Sequence, residues 1–235
     1  VGVRSIHTRC GDLNGDGLPD LVVTEGGGGN RVFVLMNTGS FTFSMQTITL
    51  TGGKTKRIEI GDLDRNGKPE LIITDQGSGS IIVLVNQSSL SAISFNATPT
   101  VISIPGALST DGLAVEDVDG DQLPEIITAQ FLSTTGNVFV VKNKSLPGNF
   151  KLDDITTLPV PGTLVNIKVG DLDGDKKPEI AVTQLLGASV SIFKNQCTPA
   201  KIKFSTPQNI TTDDRPWGLD FGDVDGDGKP EIMVA

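Results

Sequence analysis

Tyrosine is absent from the 235-residue chain, histidine and tryptophan occur once each, as His7 and Trp217, and cysteine twice, as Cys10 and Cys197. Two cysteines cannot build a dense disulfide framework, so stability must come from a packed core, from bound metal, or from both. With a single imidazole, every Ser–His–acid trio or Cys–His pair would have to pass through His7, on an expected first strand. Chemistry by two carboxylates has little to draw on, because most of the acids are claimed by the loops described below. The segment is therefore read as having no enzyme activity. No apolar run nears the ~18 residues that a membrane-spanning helix needs, and no charged-then-apolar leader opens the chain, so it reads as soluble, with no membrane insertion. Basic residues are in deficit, 19 against 28 acids for a formal charge of -9, which argues against nucleic acid or an anionic membrane as partner. The first residue is Val1 rather than Met, and the chain is expected to be part of a longer polypeptide.

What is plentiful is turn formers, with 28 Gly and 13 Pro beside 20% charged and 37% hydrophobic residues. That is the profile of a many-turned β protein. One segment is written five times: GDLNGDGLPDLVV at Gly11–Val23, GDLDRNGKPELII at Gly61–Ile73, EDVDGDQLPEIIT at Glu116–Thr128, GDLDGDKKPEIAV at Gly170–Val182 and GDVDGDGKPEIMV at Gly222–Val234. The leading aspartates are spaced by 50, 55, 54 and 52 residues, the range of solenoid units and propeller blades. Ahead of each segment lies a short alternating run, such as Ile58 and Ile60 or Ile167 and Val169, which reads as a half-buried strand. After it comes a continuously apolar run, such as Leu71–Thr74 or Ile180–Thr183, suited to a strand covered on both faces. A third run, such as Arg31–Met36 or Ser189–Phe193, and a more polar fourth over 41–50, 93–104, 150–158 and 202–210 complete the unit.

Four strands per unit with no helical periodicity predict an all-β protein, a β-propeller with four-stranded antiparallel blades. Approximate repeats run 1–53, 54–107, 108–161, 162–212 and 213–235, the last incomplete, within one partial propeller domain spanning 1–235. About four and a half blades are present, and a first strand near Val3–Arg9 leaves the N-terminus nothing to donate to the last blade. A larger ring is expected; a five-bladed ring with a two-stranded blade would leave an edge exposed.

The repeated loops carry the chemistry. Numbering each from its leading aspartate, position 1 is Asp12, Asp62, Asp117, Asp171 or Asp223, and position 3 is Asn14, Asp64, Asp119, Asp173 or Asp225. Position 5 is Asp16, Asn66, Asp121, Asp175 or Asp227, and position 9 is Asp20, Glu70, Glu125, Glu179 or Glu231. Alternate positions on a tight loop converge, and hard oxygen donors in that number suit Ca²⁺, with one ion expected per loop. No loop holds His or Cys, which excludes Zn²⁺. At position 7 the side chains of Leu18, Lys68, Leu123, Lys177 and Lys229 are poor calcium ligands, so the main-chain carbonyl is the expected donor, stiffened by the proline at position 8. Glycine at position 4 or 6 relieves positive φ, while Arg65, Gln122 and Lys176 depart from it and are expected to be strained. The loops hold eighteen of the 28 acids, and five Ca²⁺ would carry the net charge from -9 to about +1. An EF-hand also begins in this way, but it needs Glu at position 12, where Val23, Ile73, Thr128, Val182 and Val234 stand inside strands.

With these loops between an alternating and an apolar strand, the chain resembles the FG-GAP/VCBS repeats of integrin-α-like propellers over essentially its whole length. The resemblance implies Ca²⁺ bound between the first and second strands of a blade, an extracellular or cell-surface setting, and a ring of about seven blades. Family members range from adhesion receptors to lectins to accessory domains of secreted enzymes. The expected function is a calcium-stabilised module of a secreted or cell-surface protein, mediating adhesion or binding a protein or glycan ligand. A structural or accessory domain of a larger secreted enzyme is the alternative. A sugar site would want exposed aromatics, and Trp217 with a few Phe is all the chain offers.

Cys10 aligns with Ile60, Val115, Val169 and Phe221 and is expected to be a small buried hydrophobe, and a Cys10–Cys197 bridge is disfavoured. Asn37, Asn86, Asn143 and Asn195 recur after the third strand, where asparagine is expected to supply left-handed backbone to a turn. The sequons at Asn86, Asn96, Asn143 and Asn209 admit either glycosylation or a turn role.

Overall fold

The computed structural model describes residues 4–51, 53–131 and 135–235, and among these every regular element is a strand. The expected start of the first strand at Val3 lies outside the described residues. Strands β1 (Ser5–Gly11), β2 (Asp20–Glu25), β3 (Arg31–Asn37) and β4 (Phe43–Thr49) pair in sequence order as one antiparallel sheet. The same order recurs in β5 (Thr55–Gly61), β6 (Glu70–Asp75), β7 (Ser80–Leu84) and β8 (Thr100–Ser103). It recurs again in β9 (Thr110–Glu116), β10 (Glu125–Gln130), β11 (Thr135–Asn143) and β12 (Leu152–Pro161). A fourth copy is β13 (Leu164–Gly170), β14 (Glu179–Gln184), β15 (Ser189–Phe193) and β16 (Gln208–Thr211), followed by the pair β17 (Leu219–Gly222) and β18 (Glu231–Val234). These are the four-stranded antiparallel blades of the propeller class, each wound by consecutive hairpins.

The chain divides into two compact units, Val1–Thr110 with Leu146–Phe150, and Asp111–Ser145 with Lys151–Ala235. In the first, Val22, Val32 and Val34 of one sheet pack against Ile58, Leu71 and Ile73 of the next. In the second, Ile127, Val138 and Val140 meet Leu164, Ile180 and Val182 in the same way. The second strand of a blade is covered on both faces, which is why β6, β10 and β14 are buried at every residue and read as continuous apolar runs. Strands β5 and β13 carry a bulge, and the free N–H is taken by a buried threonine one strand over: Arg57 donates to Thr74 Oγ1 at 2.9 Å and Asn166 to Thr183 Oγ1 at 3.0 Å.

The fourth strand differs from expectation in two blades. It was expected over 93–104 and 202–210, yet β8 starts at Thr100 and β16 at Gln208, immediately after Pro99 and Pro207. Proline has no N–H for the ladder, so pairing restarts behind it. The preceding residues form a small hairpin instead, through the bridges Asn86↔Phe95 and Ser89↔Ala92, and Asn195↔Phe204 and Thr198↔Lys201.

Leu71, fully buried between two sheets, is a direct probe of this packing. Leu71→Ala is expected to lower the free energy of unfolding by roughly 2–5 kcal/mol in denaturant titration; a loss within error of zero would contradict the core as described.

Candidate metal centre

Each acidic loop connects the first and second strands of a sheet, closed by the pairs Gly11↔Asp20, Gly61↔Glu70, Gly170↔Glu179 and Gly222↔Glu231. That register turns the position-9 side chain back beneath the loop. One carboxylate oxygen accepts the N–H of position 2, at 2.9 Å from Leu13, Leu63 and Leu172, 3.1 Å from Val118 and 2.8 Å from Val224. The other accepts the N–H of the recurring asparagine, at 2.8 Å for Asn37, 3.5 Å for Asn86, 3.4 Å for Asn143 and 3.3 Å for Asn195. Asp20, Glu70 and Glu125 are thereby wholly buried.

The odd positions form a ladder of side chain to main chain bonds. Position 1 accepts from the N–H groups of positions 4 and 6, as in Gly120 and Gln122 onto the two oxygens of Asp117, both at 2.7 Å. In the second loop Asn66 N–H replaces position 4 as the donor to Asp62 Oδ1, at 3.1 Å. Position 3 accepts from position 5 at 3.0–3.2 Å, and position 5 from position 7 at 2.8–2.9 Å, in all five loops. Aiming N–H groups inward at positions 4 and 6 requires left-handed backbone at both, not at one. φ is +55° at Arg65, +74° at Gln122 and +67° at Lys176, with glycine at +80° to +87° in the other seven places. The strain expected of those three side chains is therefore present, at about 1–2 kcal/mol each.

In four loops the ladder brings one oxygen from each of positions 1, 3 and 9 within 4.8 Å of one another: Asp62, Asp64 and Glu70; Asp117, Asp119 and Glu125; Asp171, Asp173 and Glu179; Asp223, Asp225 and Glu231. Such all-oxygen sets can hold a hard metal ion. In the first loop position 3 is Asn14, whose Oδ1 accepts the Asp16 N–H at 3.2 Å. The position-5 carboxylates of Asp121, Asp175 and Asp227 stand outside these trios. At position 7 the long side chains turn away, Lys68 Nζ donating to Ser88 O at 2.8 Å and Lys177 Nζ to Cys197 O at 3.3 Å. Leu18 joins an open apolar groove with Cys10, Pro19, Leu21, Phe41 and Phe43.

Two cations went unnoticed in the sequence. Lys142 Nζ bonds to Asp119 and lies 2.6 Å from Asp121 Oδ2 and 3.4 Å from Glu125 Oε1. Lys194 Nζ pairs with Asp173 and lies 3.6 Å from Asp175 Oδ2. The signal was their place, immediately before the recurring asparagine.

The asparagines themselves need correction: none of them has positive φ. Each works through its side chain. Asn86 Nδ2 donates to Pro69 O at 2.8 Å and Leu13 O at 2.9 Å, joining its own loop to that of the preceding blade; Asn195 does the same with Pro178 O at 2.9 Å and Val118 O at 2.8 Å. Their Oδ1 atoms accept from Ser88, Ser145 and Cys197, two residues on, at 2.8, 3.0 and 2.7 Å. Ser88 Oγ, Ser145 Oγ and Cys197 Sγ then span the small hairpin that follows, accepting the N–H of Ser94, Lys151 and Lys203. The sequons at Asn86 and Asn143 are thus a structural Asn-x-Ser corner, both asparagines buried with Nδ2 engaged, and Cys197 stands in the serine's place. Both cysteines are free. Cys10 is exposed, contrary to expectation: Ile60, its counterpart, packs on the preceding blade at Gly11, whereas Cys10 lines the groove beside Phe41.

Burial sets the electrostatics. It pushes the Glu70 carboxyl up to about 7, partly offset by the Leu63 N–H and reinforced by Asp64. Glu125 also rises to about 7, through burial first and Asp119 next, against the pull of Lys142. Burial opposes the charge on Lys142, but Asp119, Asp121 and Glu125 outweigh it and hold the ammonium above its usual range.

Two predictions follow from this geometry. Asn86→Ala strips the donors from Leu13 O and Pro69 O, at roughly 1–3 kcal/mol for each carbonyl left buried; Asn86→Asp, presenting oxygen to both, is expected to cost more in the same denaturant titration. The second concerns pH. With no divalent ion bound, Glu70 and Glu125 take up protons more readily folded than unfolded, so their contribution to stability is fully present below the unfolded value near 4.5 and is lost as pH rises through about 7. Protons and a metal ion compete for these oxygens, so the rise in melting midpoint produced by a divalent ion is expected to shrink as pH is lowered through the same window. An ion-induced rise that is constant across that window would contradict a role for the position-9 carboxylates.

The sequence profile of the FG-GAP-like repeat matches residues 12–73, 117–182 and 187–234. None of the curated proteins compared with the chain matches it. Among solved structures, a catalytically inactive virginiamycin B lyase from Staphylococcus aureus, with quinupristin, is similar at TM-score 0.61 and 11% identity, over 92% of this chain and 59% of that one. Bacillus licheniformis rhamnogalacturonan lyase PL11 is similar at TM-score 0.53 and 15% identity, over 99% of this chain and 55% of that one. The chain thus spans less than two thirds of either, and at these identities the likeness is one of fold. With acidic hairpin loops repeated on four-stranded blades and a profile match over most of its length, the chain belongs to the FG-GAP-like repeat family.

Proposed function

We propose that this chain is a calcium-stabilised propeller module of a secreted or cell-surface protein, whose work is to present a binding surface for a protein or glycan rather than to catalyse a reaction. The observation that carries the reading is the gathering of three carboxylates, one of them on a glutamate fixed beneath the loop, at the same place in four successive blades. Taking the buried members of these sets, Asp64 with Glu70 and Asp119 with Glu125, out of water is expensive, and a divalent ion offsets that cost. Calcium is the ion of choice because it accepts many oxygens in forgiving geometry, including the position-7 carbonyl and water, whereas Mg²⁺ holds its own water more tightly. Weak sites of that type fill in extracellular fluid and stay empty in the cytosol, which is the reason for the proposed setting.

Against catalysis stands the chemistry available. The single imidazole, His7, has Nδ1 3.2 Å from the main-chain N–H of Ile58. The two lyases among the similar structures lend only their fold, and a role as accessory domain of a larger secreted enzyme is the second reading. Specific retention on a glycan array would favour the binding module over the accessory domain.

Thermal melting in Ca²⁺, in Mg²⁺ and in chelator tests the metal. An ion that binds only the folded state stabilises it by about 2.7 kcal/mol per site at a hundredfold excess over Kd. With roughly 2–4 °C per kcal/mol for a chain of this size, Ca²⁺ is expected to raise the midpoint well above that in chelator, and Mg²⁺ less. Equal midpoints in all three would overturn the reading.

A further inference from the structure

We infer that Lys142 and Lys194 are built-in cations of the third and fourth loops, competing with a divalent ion for the same oxygens and so dividing the five loops into two classes. The inference rests on the calcium reading above. The repeat supplies its own internal comparison. At the residue before the recurring asparagine the chain has Met36, Val85, Lys142 and Lys194. At positions 3 and 5 the corresponding loops have Asn14 and Asp16, Asp64 and Asn66, Asp119 and Asp121, and Asp173 and Asp175. Lysine is present where both positions are carboxylates and absent where one of them is an amide, so in the first four blades the extra acid and the extra base arrive together.

Geometry gives the pairing its meaning. The third strand runs beside the second, which brings its last side chain to the flank of the loop closed by position 9. From there Lys142 touches the carboxylates of positions 3, 5 and 9, and its own side chain is only 11% exposed. An ion held between positions 1, 3 and 9 would share two of those carboxylates with the ammonium, at a separation where two like charges repel by several kcal/mol at intermediate dielectric. Lys194 makes the same approach to Asp173 and Asp175 from a more open position, 56% exposed. The loops that begin at Asp12, Asp62 and Asp223 have no lysine among their described ion pairs.

Calcium titration calorimetry on the native chain, on Lys142→Met and on Lys194→Met, with melting midpoints of each in chelator, decides the matter. The native chain is expected to bind Ca²⁺ more weakly, or not at all, at the loops of Asp117 and Asp171. Each substitution is expected to open one further site, or to tighten one, by roughly tenfold or more. In chelator, Lys142→Met should melt several degrees lower, because Asp119 and Glu125 keep their burial and lose their counter-charge. Adding Asp121→Asn, which gives the third loop the composition of the second, should recover part of that loss. Unchanged stoichiometry and affinity in both variants, or equal affinity at all five loops of the native chain, would overturn the inference. Should no protein bind Ca²⁺ at all, the calcium reading falls by itself and the chelator melts still decide: a lowered Lys142→Met midpoint supports the built-in cation and an unchanged one refutes it. If Lys142→Met does not fold, the more exposed Lys194→Met carries the same titration.

Discussion

A carboxylate buried under its own hairpin, with a main-chain N–H on each oxygen, is the constraint on which the rest of this protein depends. The position-9 acid ties the start of its loop, through the N–H of position 2, to the end of the third strand, through the N–H of the asparagine. One side chain thus fixes the loop, the first hairpin and the second. Removing it from water is costly even with two hydrogen bonds, and Glu70 and Glu125 answer by rising to about 7. The demand for a positive charge beside it is therefore set by the fold before any function is considered.

Around that carboxylate the chain accepts local strain for a shared purpose. Arg65, Gln122 and Lys176 hold left-handed backbone that glycine would adopt at no cost, because the loop must turn its N–H groups inward to order the odd-numbered oxygens. Binding sites are where local propensity and required geometry are expected to disagree. The asparagine corner is the complementary device: by donating to carbonyls of two successive loops, Asn86 and Asn195 make the position of one loop depend on the next blade.

The same hairpin meets its charge in different ways along one chain. In the first four blades the described ion pairs put no lysine on a loop where an amide replaces one carboxylate, and put Lys142 or Lys194 on the loops where both carboxylates are kept. Two lyases share the fold at 11% and 15% identity, and nothing in a blade of this kind commits it to their chemistry. The scaffold is specified by repeat-level physics, and its task by what is built on it.

Much of this was legible in the residues because it is local. Period-two alternation, continuous apolar runs and five copies of one acidic loop determine strands, hairpins, all-β class and the oxygen-rich sites, since each depends on neighbours a few residues apart. The shortening of β8 and β16 behind Pro99 and Pro207 was equally local, and was missed because the apolar pattern runs on through the proline. Other features exist only once distant strands meet. Asn86 reaches a carbonyl 73 residues away, the ammonium of Lys142 finds carboxylates 21 and 23 residues back, and Cys10 is exposed although Ile60, its counterpart in the next repeat, packs against Gly11. The repeat puts the same kinds of atoms into every blade. Which of them face one another follows from the fold, because burial and Coulomb energy depend on separation in space and not along the chain.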